Sequence, residues 1–177
     1  TNSSGAGVTI NDSVYTNNFR VEISDLTVAN AVQSGIENND ELVLTNVIVA
    51  DNGERGINNG RVLTITNGII SGNTATSGAA LFNSGTAALT AVTITDNNGG
   101  NTIVHTQSGG KTALTNVTIS GNPSGTAVLS TGGGEVTILN STIVDNEAGI
   151  ANYAVVTLQN SILAENGTNC YRMVTAG

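Results

Sequence analysis

The chain has 177 residues, a net charge of −8 and five basic side chains, Arg20, Arg55, Arg61, Lys111 and Arg172, scattered along its length. That balance excludes the basic footprint a nucleic acid needs, and no stretch approaches the roughly 18 apolar residues of a membrane span. Aromatics are 3% and Trp is absent, so a core of bulky side chains cannot be built, yet 38% hydrophobic content is too high for a disordered chain. Gly (22), Asn (25) and Thr (25) make up over a third of the residues, and the single Cys170 gives no disulfide framework.

In chain order, residues 1–20 read as an irregular N-terminal coil or cap. Val8, Thr9 and Ile10, with Val14 or Tyr15, look like an eroded first coil. The start at Thr1, with no signal-peptide pattern, is read as a mature or excised piece. From residue 21 a short apolar strand runs seven times into an Asx-rich turn. The rows are Val21–Ala31, Leu42–Asn52, Leu63–Asn73, Ala88–Asn98, Ala113–Asn122, Val136–Asn146 and Val156–Asn166. A fixed period of this size means a repeat architecture. Anchored on Ala31, Asn52, Asn73, Asn97, Asn122, Asn146 and Asn166, the rows are separated by 21, 21, 24, 25, 24 and 20 residues.

Two columns are wholly aliphatic. One holds Ile23, Leu44, Ile65, Leu89, Leu114, Ile138 and Leu158, and the other Val28, Val49, Ile70, Ile94, Ile119, Ile143 and Leu163. A third follows the anchor: Ile36, Ile57, Leu81, Val104, Val128 and Ile150. Most of the flanking residues are Thr, Ser, Asn or Ala, so each strand alternates in and out with period 2. Between the first two strands lies a mostly Asx column: Asp25, Asn46, Asn67, Ala91, Asn116, Asn140 and Asn160. Asn tolerates the left-handed backbone of a sharp corner and can bond the same amide one coil away, so this column is expected to form a buried ladder. Gly60, Gly85, Gly109, Gly110 and Gly132 to Gly134 mark another corner.

One coil cannot bury its three aliphatic residues alone. Stacked coils pair about 4.8 Å apart and enclose a narrow core. The expectation is an all-β parallel β-helix with three short strands per coil and three parallel sheets. About seven coils of 20–25 residues cover 21–170, with a tail at 171–177, forming a rod on the order of 35 Å long.

Several segments carry a family resemblance: LTNVTISGN (Leu114–Asn122), ILNSTIVDN (Ile138–Asn146), SGAALFNSG (Ser77–Gly85), AGIAN (Ala148–Asn152) and LQNSILAENGTNC (Leu158–Cys170). Together they resemble the right-handed, pectin-lyase-like β-helix of secreted repeat proteins from cyanobacteria and other environmental bacteria. The resemblance covers roughly residues 21–170. It implies a right-handed solenoid and an extracellular or cell-surface role, adhesive or structural. The paired motifs of polymorphic outer-membrane proteins are only half met at Gly78–Asn83, so that family is not assigned.

Polysaccharide hydrolases need carboxylates converging on one glycosidic bond. Asp51, Asp96, Asp145 and Glu165 share a column, but Gly72 and Gly121 interrupt it. The three Asp then stand two coils, about 10 Å, apart, too far to share a Ca²⁺ whose ligands sit at about 2.3–2.6 Å. His105, the only histidine, follows inward Val104 and should point outward, with no Ser or Asp partner placed by the repeat. Cys170 lacks a companion His, so burial in the last coil or a tether to further sequence fits it better. Sequons stand at Asn2, Asn11, Asn116, Asn140 and Asn166, and the corner ladder accounts for Asn116 and Asn140. Outward hydroxyl pairs recur only at Thr93/Thr95 and Thr118/Ser120 in adjacent coils, a short array for ordering ice.

The expected function is therefore an extracellular or cell-surface structural or adhesive β-helix without catalysis. No catalytic, cofactor or metal residues are assigned. Expected partners are further copies stacked along the axis, or a cell-surface polysaccharide, without nucleic acid or direct membrane insertion. The alternatives are a carbohydrate-binding or carbohydrate-active β-helix and, behind it, an ice binder.

Overall fold

The computed structural model describes residues 5–10 and 20–171, which are strand and turn without a helix. Seven rows stack in six parallel steps. The three aliphatic columns fall in register. Ile65 pairs with Leu44 and Leu89, Ile94 with Ile70 and Ile119, and Val104 with Leu81 and Val128. From Leu44 to Ile143 these side chains are at most 2% exposed. Each contributes roughly 1.5–3 kcal/mol by burial, and only stacking makes that burial possible. In the last row Leu158 is 42% exposed, since no described coil covers it.

The three expected sheets are two by hydrogen bonding. An eight-stranded sheet, here the facing sheet, collects the strands after the anchor, from Val8–Ile10 through Ser77–Asn83 and Asn98–Thr106 to Cys170–Tyr171. The other two strands of every coil belong to one eleven-stranded sheet. In Glu41–Ala50, Val62–Ser71 and Thr86–Thr95 they are a single strand bent at one residue. Pairing resumes on the far side of the bend, from Thr45 with Thr66 to Val47 with Gly68. A single left-handed residue turns the chain without ending the ladder, so two limbs make one kinked sheet. Of the N-terminal segment, Val8–Ile10 pairs with Ile36–Asn38 as a regular facing strand. Val14 and Tyr15, like the tail beyond Tyr171, lie outside the described residues.

The bend is the Asx column read from the sequence. Asp25, Asn46, Asn67, Ala91, Asn116, Asn140 and Asn160 all have φ between 48° and 56°. The column is not buried, which corrects the expectation. Asn67 donates to Asn46 Oδ1 at 2.7 Å and Asn46 to Asp25 Oδ1 at 3.1 Å, on the exposed surface. The run ends at Ala91, which has no amide to continue it.

The buried ladder is the anchor column itself. The backbone N–H and Nδ2 of Asn52 both donate to Asn73 Oδ1, at 3.1 and 2.8 Å. Asn73 repeats this onto Asn97, Asn97 onto Asn122, Asn122 onto Asn146 and Asn146 onto Asn166. The other Nδ2 hydrogen reaches carbonyls that the turn leaves inside, such as Ser71 and Val49 for Asn73. Asn169 Oδ1 accepts both donors of Asn166 and closes the ladder within its own coil. A second buried run links Asn38, Asn59, Asn83 and Thr112 at 2.7–2.8 Å.

Two stability outcomes follow. Asn122→Ala removes the acceptor shared by the backbone N–H and Nδ2 of Asn97 and leaves that buried N–H unpaired, while Nδ2 keeps the Ile70 and Thr95 carbonyls. It should cost about 2 kcal/mol, whereas Asn116→Ala, at an exposed corner, should cost only about 1 kcal/mol through its left-handed φ. Denaturant melts giving equal losses would contradict this assignment of the ladder. Conversely, Ala91→Asn should restore the missing corner rung and relieve the positive φ of an alanine. Calorimetry should show a rise of about 2–4 °C for each kcal/mol gained.

Candidate functional site

Inward positions of the solenoid are fixed by packing, so distinctive chemistry has to stand in the outward columns. On the facing sheet the outward column is Glu37, Asn58, Phe82, His105, Leu129, Ala151 and Tyr171. Phe82, Tyr153 and Tyr171 are all the aromatic residues described, and all three stand on this face with the only histidine. In a chain this poor in aromatics, that convergence marks the face.

Over the face runs a groove. A cavity of about 540 Å³ is bounded by Gly53 to Arg55, Thr74 to Ser77, Asn98 and Gly100. It meets a second of about 350 Å³ at Ser77, lined by His105, Leu129, Thr131, Tyr153 and Tyr171 among others. A third, about 310 Å³, continues at Asn101, Thr126 and Tyr171 towards Glu147. The walls come from the segments just after the anchor asparagines, where coil length varies. Asn98–Thr106 shifts register between Asn98 and Thr102 against Ser124–Ser130, and between Thr102 and Val104 against Ser77–Asn83, which widens the wall there.

His105 sits at the centre, half-buried. Its Nδ1 is 2.7 Å from Ser77 Oγ, and its Nε2 is 2.9 Å from Thr131 Oγ1. This corrects the expectation that the repeat places no Ser partner beside it. Neutral imidazole has one donor and one acceptor, and a hydroxyl fills either role, so both contacts form in either tautomer. The ring packs edge-on to Phe82, with centroids 5.2 Å apart and planes at 83°. The Arg55 guanidinium lies over the Phe82 ring, 4.2 Å from its centroid, and Arg55 Nε donates to the Ser77 carbonyl at 3.2 Å. Burial first, then the Arg55 charge, hold the His105 pKa below the ordinary imidazole value, so the ring is neutral at pH 7. Beyond it Tyr171 Oη pairs with Thr126 Oγ1 at 2.9 Å, two coils back along the rod.

The other candidates stand apart from the groove. Asp51, Asp96, Asp145 and Glu165 occupy exposed left-handed corners, with Gly72 and Gly121 between them. Among the described residues no group of three or more His, Cys, Asp or Glu side chains is placed to hold a metal ion, and no helix is long and apolar enough to cross a membrane. Cys170 takes the register of the inward column opposite Ile150 but is exposed, so its expected burial is corrected. Asn116 and Asn140 are exposed corners. The longest hydroxyl column lies on the first limb of the kinked sheet, as Ser24, Thr45, Thr66, Thr90 and Thr115. The outward column beside it is Glu22, Val43, Thr64, Ala88 and Ala113, so no two-column threonine array forms.

The chain belongs to the right-handed β-helix family, whose profile matches residues 6–168. No curated protein and no solved structure shows significant similarity to it.

The imidazole gives the groove a pH dependence of known sign. His105 has an ordinary value of 6.5 when unfolded and a lower one in the fold. Below 6.5 the unfolded chain takes up the proton first. The contribution to stability is therefore complete above 6.5 and is lost as pH falls through the folded value. Thermal melts from about pH 7 down to about pH 5 should show a steeper loss in the wild type than in His105→Asn. Identical slopes would remove His105 from the account.

Proposed function

We propose that this β-helix is an extracellular adhesive protein that holds a polysaccharide strand in the groove of its facing sheet without turning it over. The observation that carries the reading is the gathering of Tyr153, Tyr171 and His105 along a hydroxyl-lined groove that crosses several coils, with Phe82 packed against His105 and under Arg55. Sugar rings present apolar faces that pack on aromatic rings, and hydroxyls at their edges that pair with groups such as Thr131 and Asn101. A groove along the rod axis suits a linear polymer better than a compact molecule. The non-catalytic half of the reading is supported by the surroundings of His105, whose two nitrogens are engaged by hydroxyls rather than by a carboxylate. Assembly end to end is less favoured, since Asn169 already occupies the acceptor position that a further coil's asparagine would take.

Affinity electrophoresis and calorimetry against a panel of cell-wall and extracellular polysaccharides test this. The wild type should bind at least one polymer without releasing reducing ends or unsaturated products. Tyr153 is 37% exposed and lines the groove; Tyr153→Ala should bind about tenfold more weakly, as loss of one aromatic contact predicts. Binding to none of the panel, equal binding by the variant, or turnover of a bound polymer would each overturn the proposal.

A further inference from the structure

The chain carries thirteen acidic and five basic residues, so a basic side chain without an acidic partner stands out. Arg20 pairs with Glu22 and Glu41, Arg61 with Asp40, and Lys111 with Glu135, at 2.7–3.3 Å. Among the described residues Arg55 pairs with no carboxylate. It is nonetheless half-buried and fixed in place. Nε is tied to the Ser77 carbonyl, the guanidinium is stacked on Phe82, and that ring is braced edge-on by His105. These contacts set the plane of the fork and leave its two Nη groups for the 540 Å³ cavity, with Thr74, Thr76 and Asn98 around the same space. Glu54 lines the cavity too, but from an exposed position where its charge is screened and where it does not pair with Arg55.

A guanidinium held this way has given up rotamer freedom in advance and keeps donors in the geometry that matches an oxyanion. We infer that Arg55 is an oxyanion-binding subsite at one end of the groove, and that the bound polymer carries a pendant carboxylate or sulfate ester. The inference rests on the reading of the groove as a polysaccharide site. It adds that the site selects acidic over neutral chains, and it accounts for a cation that the protein's many carboxylates leave unpaired. Phe82 and the Ser77 carbonyl are positioning groups, while Arg55 is the residue that meets the ligand.

Two matched pairs of polymers separate the possibilities: a polyuronate with its carboxyl-reduced form, and a sulfated galactan with its desulfated form. By calorimetry the wild type should bind the acidic member of one pair about tenfold more tightly than its neutral partner, and the responding pair identifies the anion. Arg55→Gln should abolish the difference in affinity between the acidic polymer and its neutral partner. Arg55→Lys keeps the charge but not the fork, so it should retain only part of the preference; it serves as the second variant if the glutamine form melts early. Equal binding of acidic and neutral polymers by the wild type would overturn the subsite while leaving the groove intact. So would a preference that survives both substitutions in full. Failure of all four polymers to bind would remove the groove reading together with the subsite.

Discussion

The constraint on which this protein depends is the need to turn a chain through a dry corner. A coil around a core three side chains wide must bend where its backbone faces inward, and a buried carbonyl or amide without a partner costs about 1–3 kcal/mol. The anchor asparagines answer this coil after coil. Each presents one oxygen to two donors of the preceding coil and spends its own amide hydrogens on the next oxygen and on stranded carbonyls. All the rungs point the same way, so each polarises the next. The aliphatic columns supply the larger part of the burial energy, but they would tolerate slippage of one coil against another. The ladder fixes the register, and with it which residues face the groove.

A solenoid built this way separates two jobs. The inward positions are nearly interchangeable aliphatics, and the chemistry is left to outward columns and to the segments after the anchor. The coil from Asn73 to Asn97 shows why those segments matter. It is three residues longer than the two before it, and its facing strand, Ser77–Asn83, is seven residues long where Ile57–Asn59 is three. The extra chain builds the wall that brings Ser77 against His105. Stacking coils therefore supplies the floor of the groove, and coil-length variation its sides.

The fold was legible in the sequence because its signals are periodic. Every member of the three aliphatic columns stands where the spacing put it, and the left-handed corner fell on the Asx column. Two features were misplaced for physical reasons. Position in the turn, rather than residue type, decides whether an asparagine is buried, so Asn116 and Asn122 read alike in the sequence and differ completely in the structure. The bend at one residue keeps its hydrogen-bond ladder, so two limbs merge into one sheet. The groove was harder to read. Phe82 and His105 each follow an inward residue, Leu81 and Val104, and an outward column drawn from the same alignment would have stacked them. Ser77, Thr131 and Arg55 lie in the aperiodic segments, where spacing carries no information. Their convergence exists only once the coils are stacked.

Rigidity links the scaffold to the groove. Contacts that cross coils hold each group in it. His105 bridges Ser77 of the preceding coil and Thr131 at the turn of the following one. Arg55 reaches the next coil to find both the Ser77 carbonyl and the Phe82 ring, and Tyr171 spans two coils to Thr126. A side chain tied in this way loses little further entropy when a ligand arrives. The neutral imidazole matters for the same reason. A charged ring would have to donate from both nitrogens and would stand near the Arg55 cation in a half-buried space, raising the cost of keeping the guanidinium there. Burial keeps His105 uncharged, the uncharged ring braces Phe82, and Phe82 holds Arg55 facing the cavity. The chain of contacts runs along the stacking direction, from coil to coil, so a change in register in the asparagine ladder would disassemble it.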